Sequence, residues 1–236
     1  MNYLQLCQRV ALECGVTNSD SIPAAVTGQT GDLLRIVKWV ASAYTELQTS
    51  KTTWQWLQAR FSFNTVDGTS EYAYGLVTDV AASAYITRLA AWLLMDPRNP
   101  PKAYLTSGGV AGQYILRPMS WEDFQSTYEL GTEQEGPPSR IAISPDKKIH
   151  LGPTPNGIYT VTGNYQKSAQ VLSDGADIPE LPSDFHMVIM YDAMLKYGNA
   201  ESALEIINRQ QTEGQALRSQ LRLDQLPKFR GSDPLA

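Results

Sequence analysis

Apolar residues recur at helical spacing in two stretches near the amino terminus. Leu4, Cys7, Ala11 and Cys14 define a stripe that stops at Gly15, which predicts a helix over residues 2–14. A polar connection follows over residues 16–29, built from Ser, Thr, Asn, Pro and Gly. Then Leu33, Val37, Val40, Tyr44 and Leu47 alternate four and three residues apart, with Leu34, Ile36 and Ala41 widening the stripe. That pattern predicts a core-facing helix over residues 31–50.

In the middle of the chain the period changes. Phe61-Ser62-Phe63-Asn64-Thr65 and Tyr72-Ala73-Tyr74 are short alternating runs around Asp67-Gly68, which predicts a hairpin. Residues 85–95 are apolar and fit a strand or a helix, closed by Pro97, Pro100 and Pro101. Two further runs, 103–105 and 113–116, are split by Ser107-Gly108-Gly109. A short helix is predicted from Ser120 to about residue 130, with Ser120 and Asp123 placed to cap it. Residues 140–144 and 148–151 flank Pro145-Asp146-Lys147 as a second hairpin. Residues 158–165 form a strand with Tyr159, Val161, Gly163 and Tyr165 on one face. An extended linker, Asp177-Ile178-Pro179-Glu180-Leu181-Pro182, leads to helices over 183–197, ended by Gly198-Asn199, and 200–223.

The predicted fold class is therefore α+β. An antiparallel helical bundle comes from the N- and C-terminal helix pairs, over residues 1–58 and 178–226, because neither pair can bury its apolar faces alone. A β-rich lobe with one short helix, residues 59–177, is inserted between them, and residues 227–236 form an extended tail. Leu33, Val37, Val40, Tyr44, Leu204 and Ile207 are the predicted bundle core. Trp54, Trp56, Phe61 and Phe63 are assigned to the seam between bundle and lobe, against the alternative that such aromatics stack on a sugar or a base.

Charge and chemistry narrow the function classes. The chain has 236 residues and a net charge of −5, and Lys and Arg are scattered singly apart from Lys147-Lys148. A duplex-binding protein presents a clustered basic face, so tight DNA binding is not expected. Cys7 and Cys14 lie on one helix face about 10.5 Å apart along the axis, beyond the roughly 7 Å reach of a disulfide, and are read as reduced core thiols. No run approaches a membrane span, and the first residues lack a basic, signal-like start. His150 and His186 are too few for most zinc sites, and HExxH, CxxC, GxSxG and phosphate-loop patterns are missing. Glu122-Asp123 and the pair Glu133 and Glu135 read as solvated acids rather than a glycosidase pair. No enzymatic activity, metal or cofactor is expected.

Several motifs in order carry a resemblance. Ala43-Tyr44-x-Glu46-Leu47-Gln48 is followed by Trp54-Gln55-Trp56-Leu57, then Arg60-Phe61-Ser62-Phe63-Asn64-Thr65 and Tyr72-Ala73-Tyr74-Gly75-Leu76. Near the end, Leu181-Pro182-Ser183-Asp184-Phe185-His186 enters a helix carrying Ala193 and Tyr197. Together they resemble the bacteriophage head-to-tail adaptor family, also called connector or tail-tubular-protein-A-like, although the lobe is larger than in its smallest members. The resemblance implies a virion structural protein of the neck, made in the host bacterial cytoplasm. It also implies a ring of usually twelve copies beneath the portal, with the lobe against the next tail component (nozzle or tail tube). DNA would pass through the lumen without tight or sequence-specific binding, and no membrane anchor is implied.

In such adaptors the carboxy-terminal segment reaches the portal. Here that segment holds Pro227, Lys228, Phe229, Arg230 and Pro234, one apolar anchor between two cations in a stretch that prolines keep from being helical. Extended, it spans about 33 Å at roughly 3.3 Å per residue. Two rivals stay open: another tail-completion or minor tail subunit, and a glycan-binding or glycan-cleaving tail component.

Overall fold

The computed structural model describes residues 1–16, 22–51, 53–130 and 134–226. The helices are α1 (Tyr3–Glu13), α2 (Gly31–Thr49), α3 (Trp121–Phe124), α4 (His186–Glu201), α5 (Leu204–Arg209) and α6 (Gln215–Gln225). The strands of the first half are β1 (Gln58–Asn64), β2 (Glu71–Tyr72), β3 (Thr78–Asp79), β4 (Ala84–Tyr85), β5 (Ala91–Trp92), β6 (Lys102–Leu105), β7 (Tyr114–Ile115) and β8 (Arg117–Pro118). Those of the second are β9 (Glu135–Gly136), β10 (Arg140–Ile143), β11 (Ile149–Gly152), β12 (Thr154–Pro155) and β13 (Tyr159–Gln166). The chain is a mixed α+β protein and divides into two compact units. One is Met1–Leu57 with Ala169–Ala236, the other Gln58–Ser168.

In the helical unit, α1 starts on a capping box: the Asn2 side chain accepts from the Gln5 amide while Gln5 Oε1 accepts from the Asn2 amide. Its buried face is Tyr3, Leu6, Cys7, Val10 and Ala11, about one residue round from the stripe expected on Leu4 and Cys14. Helix α2 buries Leu33, Ile36, Val37, Val40, Ala43, Tyr44 and Leu47. Helices α1, α2 and α4 pack on one another. They share one apolar core, completed by Trp54, Leu57, Leu172, Leu181 and Leu221.

The structure departs from three expectations. Helix α4 does not end at Gly198 but continues to Glu201, and the break is Ser202 in a left-handed conformation. Gly198 is needed for packing instead: a Cβ there would lie 2.9 Å from Ile207 Cγ1, so only glycine lets α5 come this close. Because the break falls at 202–203, Leu204 is the first residue of α5 and is 71% exposed, outside the core. Ile206 packs against that core in its place, and Ile207 is half-buried. Finally, residues 169–177 belong to the helical unit rather than to the lobe. The Tyr3 and Leu4 amides donate to the Asp177 and Gly175 carbonyls (2.8 and 3.1 Å), and Gln48 and Gln170 exchange side-chain to backbone hydrogen bonds of 2.9 and 2.8 Å.

The sheet unit is built on a seven-stranded sheet of order β4-β3-β1-β13-β6-β7, with β5 also on β13. Its central pair, β1 and β13, is antiparallel over the whole of β1, from Gln58↔Gln166 to Asn64↔Thr160. The hairpin expected around Asp67-Gly68 does not form. Tyr72 leaves this sheet and pairs with Ile149 of β11 in a second, four-stranded sheet of order β2-β11-β10-β8. Thr65 helps to turn the chain away, its hydroxyl donating to the Gly157 carbonyl and its amide to that of Tyr159. The hairpin around Pro145-Asp146-Lys147 does form, as β10 and β11, with Lys147 at φ 64° in its turn.

The two sheets share one core of Phe61, Phe63, Ile141, Ile149, Leu151 and Val161. Gly163 faces that core as well, and a Cβ there would lie 2.7 Å from the Phe61 ring. The missing side chain is therefore the space that the ring fills. The helix expected from Ser120 to about residue 130 is α3 followed by a wider π turn over Gln125–Glu129, with Ser120 Oγ accepting from the Asp123 amide.

Candidate interaction surface

The tryptophans singled out in the sequence are taken up by packing. Trp54 is buried in the helical core, stacks on Trp56 at 4.4 Å between ring centroids, and donates its indole N–H to the Leu47 carbonyl. Phe61 and Phe63 lie in the core of the sheet unit. Each half of the assigned seam is thus accounted for inside its own unit. Trp92 packs edge-on to Phe61 and donates to the Lys147 carbonyl. Trp121 lies half-exposed over His150 at 4.6 Å.

Both histidines are internal. His186 Nε2 lies 2.9 Å from the Leu181 carbonyl and its Nδ1 2.8 Å from the terminal amino group. Burial pushes the pKa of each imidazole down, and for His150 the carboxylates of Glu71, Glu129 and Asp146 oppose that shift. Burial likewise raises the Cys7 and Cys14 thiols to about 12, which suppresses the nucleophilic thiolate. Glu122, Asp123 and Glu135 are exposed, and Glu133 lies outside the described residues. Among the described residues no three His, Cys, Asp or Glu side chains are grouped to hold a metal ion, and no helix is long and apolar enough to cross a membrane. The five residues assigned to portal docking, Pro227, Lys228, Phe229, Arg230 and Pro234, also lie outside the described residues.

What the fold displays is a surface. Side chains alternate across the seven-stranded sheet, and Phe61, Phe63, Ala103, Val161 and Tyr165 turn to the core. The opposite face follows from the registers. One row runs across the sheet as Tyr85–Thr78–Ser62–Thr162–Lys102–Ile115. At roughly 4.8 Å per strand it is about 24 Å long. Beside it lie Arg60 opposite Asn164, and Asn64 opposite Thr160 opposite Tyr104. No carboxylate occupies any of these positions, in a chain with 24 acidic residues. Hydroxyls and amides dominate, and Thr160, itself buried, is held by Asn64 and Thr106 at 2.9 Å each.

Both ends of this sheet are apolar and open. At the β4 end Leu76, Val80 and Tyr85 are 65%, 46% and 63% exposed. Leu105, Val110 and Ile115 are 46%, 58% and 56% exposed at the β7 end. Local periodicity could not reveal these patches, since they depend on which strands are outermost. One signal was present nevertheless: residues 80–87 and 103–116 hold no charged side chain at all.

No curated protein sequence matches the chain significantly. The family model described as SU10 adaptor protein matches residues 1–234, spanning both units. The chain therefore belongs to the SU10 adaptor protein family, a family of phage head-to-tail adaptors.

Proposed function

We propose that this chain is the subunit of a ring between the portal and the tail of a phage virion, usually of twelve copies, enclosing the channel through which DNA leaves. The observation that carries the reading is the family match across residues 1–234, which makes the chain a phage structural adaptor. In this reading the terminal helix pairs act as one antiparallel bundle, and the sheet unit meets the next tail component. The lumen lets DNA pass without holding it. A net charge of −5 supports that last point, because a strongly basic channel would retain phosphates. The protein works without metal, cofactor or catalysis, as a scaffold.

The portal-facing element is the segment 227–236, with Phe229 as anchor between Lys228 and Arg230. Full-length chain should bind purified portal. A chain ending at Leu226 should keep the same melting temperature and lose that binding by about tenfold or more. Equal binding by the two chains in a co-sedimentation assay would place the docking surface elsewhere.

A further inference from the structure

The two ends of the seven-stranded sheet share a chemistry: exposed apolar side chains in stretches that carry no exposed carboxylate. At the first end, residues 73–87 carry one charged side chain, Asp79, and it is buried, with its carboxylate accepting from the Ala81 and Ala82 amides and from Tyr165 Oη. From Val80 to Tyr85 every residue is exposed and uncharged. At the other end, residues 103–116 are uncharged throughout, bounded by Lys102 and Arg117. Sheet edges are normally protected from pairing by charge, proline, a covering segment or a very short outer strand. At two residues each, β4 and β7 limit ladder pairing and leave side chains to make any contact. Neither outermost strand here contains a charge or a proline, and each presents an exposed apolar side chain, Tyr85 on β4 and Ile115 on β7.

We propose that successive copies of this chain join through these two ends, the β3–β4 end of one copy seated against the β6–β7 end of the next. The inference rests on the ring reading above and names its lateral contact. Two observations select a second copy as the occupant. Each copy carries a net charge of −5, so like copies meet most readily where no carboxylate faces carboxylate. Both ends meet that condition, Asp79 being buried and Lys102 and Arg117 being cations. The two patches also lie at opposite ends of one sheet, on different strands. A contact between unlike patches is heterologous, and repetition closes it into a ring or extends it as a filament. Burying Leu76, Val80 and Tyr85 against Leu105, Val110 and Ile115 would give the apolar centre that such a junction needs.

The test uses two double variants of the full chain, Val80→Asp with Tyr85→Asp at one end and Val110→Asp with Ile115→Asp at the other. All four side chains are exposed, so both variants should melt like the parent; if either does not, serine replaces aspartate at the same positions. Sedimentation over rising concentration should show the parent chain forming dimers and larger species. Each variant should associate about tenfold or more weakly. Mixed together, the two variants should recover a dimer and nothing larger, since one intact end of each kind remains. Association that survives in both variants would overturn the proposal, as would a variant that still dimerises alone or a parent that stays monomeric throughout. Rings formed by the variants on portal would overturn the edge assignment while leaving the adaptor reading standing.

Discussion

Val40→Asp is expected to unfold the helical unit. Val40 is fully buried in the middle of α2, within the core shared by α1, α2 and α4. An aspartate there has no cationic partner in that apolar cluster, so it must either lose its hydration or take up a proton. The loss of apolar packing adds to this, and the expected cost is about 3–5 kcal/mol, comparable to the whole stability of a marginal domain. Leu204→Asp is the control, because that side chain is 71% exposed and the change should cost less than about 0.5 kcal/mol. Thermal melts followed by circular dichroism would separate the two. An unchanged melting temperature for Val40→Asp would mean that α2 does not line the shared core.

The second large effect is expected at Arg218, which pairs with Asp192 across α4 and α6. Asp192 is buried, and burial raises its carboxyl pKa above the ordinary range even though Arg218 lowers it. Arg218→Met removes the partner and leaves the carboxylate in place, at an expected cost of about 2–4 kcal/mol near neutral pH. The sign of the pH dependence follows. Without Arg218 the folded-state pKa of Asp192 rises further, so the folded variant holds a proton that the unfolded chain has released. Its stability should therefore fall as pH rises from the ordinary aspartate range towards the raised folded value, and recover on acidification. Chemical denaturation at pH 4.5 and pH 7 should show a smaller deficit against the parent at the lower pH. A deficit of equal size at both would mean that Asp192 is not the group left uncompensated.

Much of the helical unit was legible because its information is local. The α2 stripe through Leu33, Val37, Val40 and Tyr44 needs only the 3.6-residue period, and all four are buried. The alternation in β13 is local in the same way, and Val161 and Tyr165 face the core. Long-range pairing was not legible. Nothing near Tyr72 indicates Ile149 as its partner, and the Asp67-Gly68 turn looked like a hairpin because turn chemistry does not encode strand order. Gly198 misled for a different reason. The same residue type ends helices and admits a close neighbour, and only the proximity of Ile207 decides between the two. That choice moved the helix break and with it Leu204. The candidate surface was half visible, as uncharged stretches whose importance depends on their place at the sheet ends.

Copies of this chain are proposed to build a ring on the portal. Electron microscopy of purified portal mixed with an excess of the full-length chain addresses it most directly. The expected result is a second ring, coaxial with the portal and of matching symmetry, with an open central channel. Chains bound singly off the axis, or a portal left bare at saturating concentration, would show that copies of this chain do not build that ring.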